Sequence, residues 1–190
     1  MVRALLAGTK TQTRRIINPQ PPADFVSVTW DASGTLTLCP AALAFSPFHK
    51  AVRRIKPGDR LWVRETLFRD PDLWVYAADK APVGWPARGD LAGKVRDYVP
   101  SIHMARVASR LTLNVTGVKV ERLRDITLAD ICAEGLARSI YEFKPVQRGF
   151  DAWLELWDGI NGPGSWDANP WVAAYTFTVH HQSIDQMEAA

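Results

Sequence analysis

The segment Gly8–Arg15 combines side chains that could carry out acyl transfer. It reads GTKTQTRR, with three hydroxyls, one amine and two guanidiniums in eight residues. A threonine hydroxyl is a weak nucleophile until a base removes its proton, and a neutral lysine can be that base. Burial or nearby positive charge lowers the pKa of a lysine, and Arg14 supplies such a charge together with Arg15. The segment therefore contains a candidate hydroxyl–lysine pair, Thr13 and Lys10.

This pair imposes a condition on the local structure. Residues 2–7 predict a short helix, and Gly8 suits the left-handed cap that ends one. Residues 11–17 are rich in β-formers and predict a strand. Because Lys10 and Thr13 are three residues apart, an ideal strand would point them to opposite faces. The pair can work only if Lys10 lies in the turn after the glycine, before the strand begins.

A carboxylate at an unfavourable helix position is the next candidate. Thr127 predicts the N-cap of a helix, with Asp130 as its capping-box partner, and Gly135 predicts the end. Glu134 then lies in the last turn, where the negative end of the helix dipole disfavours an acid by a few tenths of a kcal/mol. Such local rule-breaking marks a functional candidate. An exposed acid of no consequence is the alternative.

Three further residues are candidates for binding. Residues 60–68 predict a strand in which alternation places Glu65 on the apolar face. A buried carboxylate must be paired or hydrogen-bonded, so Glu65 either anchors a buried network or lines a pocket. His103 and Arg106 lie in a connecting segment. A loop histidine is more often without function, but the arginine three residues on keeps both in the candidate set.

The remaining pattern predicts an α+β fold, mostly β. Several short strands, few helices and no regular βαβ rhythm indicate a closed or nearly closed barrel with flanking helices. Beyond those above, the predicted elements are a hairpin of Phe25–Trp30 and Thr35–Leu38, strands at Leu73–Ala78, Leu111–Val115, Val118–Leu123 and Trp171–Val179, and an amphipathic helix over 150–160.

Length and composition limit the number of domains, the cellular compartment and the kinds of partner. A chain of 190 residues predicts a single domain, here residues 1–180, with a frayed tail at 181–190. Cys39 and Cys132 are far apart and form no metal-type spacing, which fits a reducing cytoplasm. No apolar run reaches the roughly 18 residues that cross a bilayer, and we expect neither a membrane partner nor a metal.

The net charge of +3 conceals an asymmetry. Residues 1–110 hold 17 Lys/Arg and 9 Asp/Glu, a balance of +8, whereas residues 111–190 hold 6 and 11, a balance of −5. A basic front half can attract phosphate or nucleic acid. Ordinary solvated surface charge is the alternative, because no run exceeds two adjacent basic residues.

Several motifs together carry a resemblance. GTKTQTRR, PGDRLWVRE at 57–65 and AEG at 133–135 resemble the ASCH domain family of the PUA-like β-barrel superfamily. PSIHM at 100–104 and WDANPW at 166–171 are similar to longer ASCH proteins of phages and prophages. The resemblance covers most of the chain and is weakest over 18–54 and 80–97.

The resemblance implies a PUA-like barrel with a nucleoside-binding cleft beside residues 8–15. Among its enzymes, the small N4-acetylcytidine amidohydrolases use a lysine, a threonine and a glutamate. These fall here on Lys10 as proton acceptor, Thr13 as nucleophile and Glu134 as the acid for the leaving amine. Thr11 and Arg15 would position the substrate, a modified pyrimidine nucleoside, and no cofactor is implied.

Two other functions remain open at this stage. One is an RNA-binding or RNA-processing module, with affinity that depends on salt and on the arginines at 14, 15, 53 and 54. The other is an accessory protein that binds a modified nucleotide without turnover.

Overall fold

The structure is a computed structural model that describes residues 1–22, 25, 27–30, 36–39, 47, 52, 54–69, 74–79 and 98–188. Over these residues the fold is mixed α and β, as the sequence predicts. The residues group into two compact units, and the single domain expected from the length of the chain stays a prediction. The first comprises Met1, Arg3–Asp59 and Asn114–Thr178, and the second comprises Val2, Arg60–Leu113 and Val179–Ala190.

The regular elements follow in chain order. They are α1 (Val2–Leu6), β1 (Gln12–Ile16), β2 (Ser27–Trp30), β3 (Leu36–Cys39), β4 (Arg60–Trp62), β5 (Leu67–Arg69), β6 (Trp74–Tyr76), β7 (Tyr98–Val99), β8 (Thr112–Arg122), α2 (Leu128–Ala133), α3 (Gln147–Asn161), β9 (Trp171–His180) and α4 (Ile184–Glu188).

The sheet of the first unit carries the segment that the sequence singles out. Strand β1 pairs antiparallel with β9, so that Thr13 lies opposite Tyr175, and β8 is the next neighbour of β9. The predicted hairpin is confirmed by the antiparallel pairing of β2 with β3. Its turn, residues 31–35, lies outside the described residues, as do most of the loop predicted at 79–100 and most of the segment at 39–55.

Two predicted strands differ from the structure. The single strand predicted over 60–68 is divided into β4 and β5, and residues 63–66 between them belong to neither strand. The two strands predicted on either side of Gly117 form one continuous strand, β8. A Cβ at this glycine would meet only Thr176 at 3.9 Å, so the sheet has no need of a break there.

Helix α2 forms for the reason that its sequence predicts. The Thr127 side chain accepts a hydrogen bond from the Asp130 backbone N–H at 3.2 Å, and the Asp130 carboxylate accepts from the Thr127 N–H at 3.0 Å. This capping box satisfies two N–H groups that a helix start leaves unpaired. At the other end, Gly135 has φ of +90° and turns the chain out of the helix.

Helix α3 packs on α2 through the apolar stripe that its periodicity predicts. Trp153 and Trp157 are buried in a cluster with Leu123, Ile131 and Val172. Leu154 and Leu156 flank this stripe on either side and are 36% and 42% exposed. This packing fixes where α2 ends and therefore where Glu134 lies.

The second unit is organised around a buried carboxylate. Glu65 is 1% exposed and accepts two hydrogen bonds from the Arg110 guanidinium, at 2.9 Å each. Arg110 also binds Asp79 and lies 3.8 Å from the centre of the Tyr76 ring. The alternative of a buried network, which the sequence left open for Glu65, is the one observed.

The last residues also belong to this second unit. Where the sequence predicts a frayed tail, the structure has helix α4, and Ile184 in it is buried. No helix in the described ranges is both long and apolar enough to cross a membrane.

We predict that Arg110→Met lowers the free energy of unfolding by about 2–4 kcal/mol. Removing one partner of a buried ion pair costs roughly 3–5 kcal/mol, and the partial exposure of Arg110 reduces that figure. Urea unfolding measures it, with the double variant Glu65→Leu/Arg110→Met as control. The double variant should lose less than the single one, because it leaves no unpaired charge buried. An Arg110→Met variant as stable as the wild type would contradict the role of the pair.

Candidate functional site

The turn after α1 places Lys10 outside the strand. Gly8 has φ of +69°, and the N–H groups of Thr9 and Lys10 both donate to the Ala4 carbonyl, at 3.0 and 3.1 Å. The Thr11 N–H donates to the Ala133 carbonyl at the end of α2, at 2.8 Å, and strand pairing begins only at Gln12. The condition that the sequence sets for a lysine–threonine pair is met.

Lys10 and Glu134 form a buried ion pair. The Lys10 Nζ lies 2.6 Å from Oε2 of Glu134 and donates to the backbone carbonyl of the same residue at 2.9 Å. The two residues are only 5% and 6% exposed. The ammonium group thus stabilises both the carboxylate and the negative end of α2. An acid is tolerated at this helix position because a cation is buried with it.

The surroundings of Lys10 lower the pKa of its amine. Burial is the largest cause, because it disfavours the charged form, and the charges of Arg15 and Arg14 act in the same direction. The Glu134 carboxylate opposes them through its charge and its hydrogen bond, without reversing the net direction. A lysine with a lowered pKa gives up its proton more readily than a surface lysine.

Arg14 contacts the other oxygen of this carboxylate, whereas the sequence predicted for it, at this site, only a charge that lowers the Lys10 pKa. Its Nη1 lies 3.4 Å from Oε1 of Glu134 and donates to the Gln12 side chain at 2.6 Å. Its Nη2 lies 2.7 Å from Oε1 of Glu121 and 3.3 Å from Oδ2 of Asp130. Lys10 and Arg14 thus share Glu134 in a cluster of buried charges.

A signal for Arg14 is present in the sequence. Gln12 and Arg14 are two residues apart on the predicted strand, so alternation puts their side chains on one face. Nothing in the sequence identifies its partner Glu121 on β8, because the pairing of residues across a sheet cannot be read from one sequence. The other oxygen of that acid, Oε2 of Glu121, lies 2.6 Å from the Lys119 ammonium, an ion pair without hydrogen-bond geometry.

The burial of Arg14 also bears on nucleic-acid binding. At 2% exposed and surrounded by acids, its guanidinium is not presented to solvent as a phosphate contact requires. Arg15 and Arg54 are exposed, and Arg53 lies outside the described residues. The Arg14 side chain is therefore not part of an exposed basic surface.

A cleft of about 480 Å³ opens beside the ion pair, and we call it the Lys10 cleft. This volume is in the range of small-molecule sites, about 300–1,000 Å³. Its polar lining includes four residues that the sequence predicts for the site, Lys10, Thr13, Arg15 and Glu134. Arg14, which is not among the predicted catalytic or binding residues, lines it as well. Its apolar wall comprises Met1, Ala4, Ile16, Leu136, Trp153, Leu156, Trp157 and Ile160, and Gly135 and Asn161 complete the lining.

Thr13 lies in this cleft without a bond to the ion pair. Among the described residues its hydroxyl makes no hydrogen bond with the Lys10 ammonium or the Glu134 carboxylate. Catalytic hydrogen bonds are often long before a substrate binds, so the absence of this bond is compatible with a nucleophile–base pair.

The remaining predicted binding residues lie elsewhere. Thr11 lines a second, more open cleft of about 620 Å³, with residues of α2 and the Gly8 turn. Glu65, His103 and Arg106 belong to the second unit. There His103 is exposed at the end of a 3₁₀ turn, and Arg106 donates to the Asp185 carboxylate at 2.8 Å. Their contact with a substrate stays a prediction.

No candidate metal site is found in the described part of the chain. There, no three His, Cys, Asp or Glu side chains group closely enough to hold an ion. Cys132 is a free thiol on α2, and burial raises its pKa, which makes it a poorer nucleophile.

Comparison with protein-family models, curated proteins and solved structures finds no match to this chain. The resemblance to the ASCH family therefore stays a prediction.

We predict that Gly135→Ala destabilises the protein by about 1–3 kcal/mol. Its φ of +90° is strained for any residue with a Cβ, and that atom would lie 2.9 Å from the Ala4 Cβ and 3.0 Å from the Lys10 Cβ. Chemical unfolding measures the loss. The control is Gly159→Ala in α3, where an added Cβ meets nothing within 4 Å and should be neutral or stabilising. Equal effects of the two changes would contradict a packing role for Gly135.

Proposed function

We propose that the protein is an amidohydrolase that removes the acyl group from N4-acylated cytosine or cytidine. The observation that carries the proposal is the buried Lys10–Glu134 pair, 2.6 Å apart, in one cleft with Thr13. The choice of substrate rests on the motif resemblance in residues 8–15 and 133–135. The PUA-like barrel that this resemblance implies is part of the same proposal.

The ion pair already holds the protons that the reaction needs. The resting pair is an ammonium and a carboxylate. Transfer of one proton along the 2.6 Å hydrogen bond gives a neutral amine on Lys10 and a carboxylic acid on Glu134. The first is a general base and the second a general acid. Because burial lowers the pKa of Lys10, this form lies closer in free energy to the resting pair than it would in water.

Acylation uses both the neutral Lys10 amine and the Glu134 carboxylic acid. The Lys10 amine takes the proton from the Thr13 hydroxyl while its oxygen bonds to the acyl carbon. The C–N bond of the amide then breaks, and Glu134 gives its proton to the departing N4 nitrogen. The products are cytidine and an ester on Thr13, and the ion pair returns to its resting charges.

Deacylation uses the same two groups with their roles exchanged, Glu134 as the base and Lys10 as the acid. The Glu134 carboxylate takes a proton from water as the water oxygen bonds to the ester carbon. The ester C–O bond breaks, and the Lys10 ammonium gives its proton to the Thr13 oxygen. The carboxylic acid leaves, and one proton shift between Lys10 and Glu134 restores the resting pair. Arg15, on the same wall, supplies positive charge for the oxyanion in both steps.

We expect the wild type to convert N4-acetylcytidine to cytidine, and Lys10→Met or Thr13→Val to lower kcat/KM by about 10²–10⁴-fold. A positioned acid or base contributes roughly that factor. Chromatography of the product measures it, and Lys56→Met, on an exposed turn, is the matched lysine control. Absence of turnover by the wild type, or unchanged turnover in Lys10→Met, would sink the proposal.

The pH dependence provides a second expected outcome. Loss of a proton from the ion pair leaves Glu134 ionised and without the proton for the leaving group. The rate should therefore fall as pH rises through the pKa of Lys10, with a midpoint below the ordinary 10.5. Because the Arg15 charge helps to lower that pKa, Arg15→Gln should move the alkaline midpoint upward. A midpoint at or above 10.5 in the wild type contradicts this assignment.

Binding without turnover is the competing outcome. If calorimetry detects N4-acetylcytidine binding but no cytidine forms, the cleft is a modified-nucleotide site of the accessory type. If only short RNA binds, with affinity that falls steeply with salt, the nucleic-acid-binding alternative is favoured.

A further inference from the structure

The apolar wall of the Lys10 cleft is exposed to solvent. Ile16 is 39%, Leu156 42% and Ile160 68% exposed, and all three line the cleft. Exposed apolar side chains are unremarkable singly, but a group of them along a ligand cleft marks a surface that a ligand covers. We call these three residues the alkyl wall.

The chemistry of the alkyl wall selects the part of a substrate that can lie on it. None of its three side chains carries a hydrogen-bond donor or acceptor. A ribose or the edge of a cytosine would lose its hydrogen bonds to water there without replacement, which costs free energy. An alkyl chain has no such groups and gains from burial.

The spacing within the wall sets the length of that chain. Leu156 and Ile160 are four residues apart on α3, roughly 6 Å along the helix at about 1.5 Å per residue. The methyl group of an acetyl ester can contact only one of these side chains. A chain several carbons long can contact both.

We propose that the acyl group of the preferred substrate is a medium-length alkyl chain, such as hexanoyl, that binds along Ile16, Leu156 and Ile160. This inference rests on the amidohydrolase proposed above and specifies its substrate. The polar groups at Thr13 hold the amide, and the alkyl wall discriminates among acyl chains.

The test compares N4-acetyl-, N4-butyryl- and N4-hexanoylcytidine as substrates. In the wild type, kcat/KM should rise by about tenfold or more from acetyl to hexanoyl, since each buried methylene contributes roughly a factor of four. Leu156→Ser and Ile160→Ser should abolish most of this rise, so that the ratio of kcat/KM for the hexanoyl over the acetyl substrate falls to within about twofold of one. Leu154→Ser is the matched control, because Leu154 is exposed on the same helix and does not line the cleft.

A binding measurement keeps this inference separate from the reaction. Calorimetric titration with acetate, butyrate and hexanoate, the carboxylates that the reaction would release, needs no turnover. Hexanoate should bind at least about tenfold more tightly than butyrate, and Leu156→Ser should remove that difference while Leu154→Ser retains it.

The two proposals fail in different ways. If the wild type hydrolyses all three amides at similar rates, or acetyl fastest, the alkyl wall has no role and the amidohydrolase stands. If no amide is hydrolysed yet hexanoate binds with the expected preference, the wall is a chain-binding site and the proposed reaction is wrong. If hexanoate binds no better than butyrate, the inference about the wall is overturned whatever the rates are.

Discussion

Burial of the Lys10–Glu134 ion pair is the constraint on which the local structure depends. Each of these charges, taken out of water alone, would cost several kcal/mol, so neither can be buried without the other. Their contact is 2.6 Å long and joins residues 124 positions apart. The turn at Gly8 and the end of α2 must therefore be positioned together, and both are fixed by backbone geometry that glycines permit.

Arg14 makes this arrangement a cluster rather than a pair. Its guanidinium contacts Glu134 on one side and Glu121 on the other, so strand β1 is joined to α2 and to β8 by charge. Such a cluster is a poor source of stability, because apolar residues of the same volume often serve as well. What it supplies is a fixed carboxylate and a lysine with a lowered pKa, both beside an open cleft. Clusters of this kind are more common at functional sites than in ordinary cores.

Local patterns in the sequence predicted the elements around this cluster well. The capping box at Thr127, the glycines that end α1 and α2, and the stripe of α3 each depend on neighbours within a few residues, and each is observed. The position of Lys10 before β1 followed from strand alternation in the same way. Glu134 was noticed because an acid at a helix end violates a local rule, and the structure supplies the reason in the buried cations.

The sequence did not predict which side chains far apart along the chain would contact one another. The partners of Arg14 and the covering of the cleft by α3 depend on how strands and helices pack, which no local spacing encodes. The same limitation explains Thr11: alternation and the resemblance both group it with Thr13, yet Thr11 precedes β1 and the structure places it at a different cleft. Glu65 was correctly expected to be buried, but its partner, 45 residues away, was not identified.

The proposal that Thr13 carries the acyl group, with Glu134 as the base for its release, is tested most directly by trapping that ester. A phenyl ester with a good leaving group needs no general acid, so Glu134→Gln should still be acylated by p-nitrophenyl acetate and should deacylate slowly. Mass spectrometry of the digested protein should then find one acetyl group on the peptide that contains Thr13, and none after the added change Thr13→Val. An acetyl group on Lys10 instead, or none on either residue, would contradict the account.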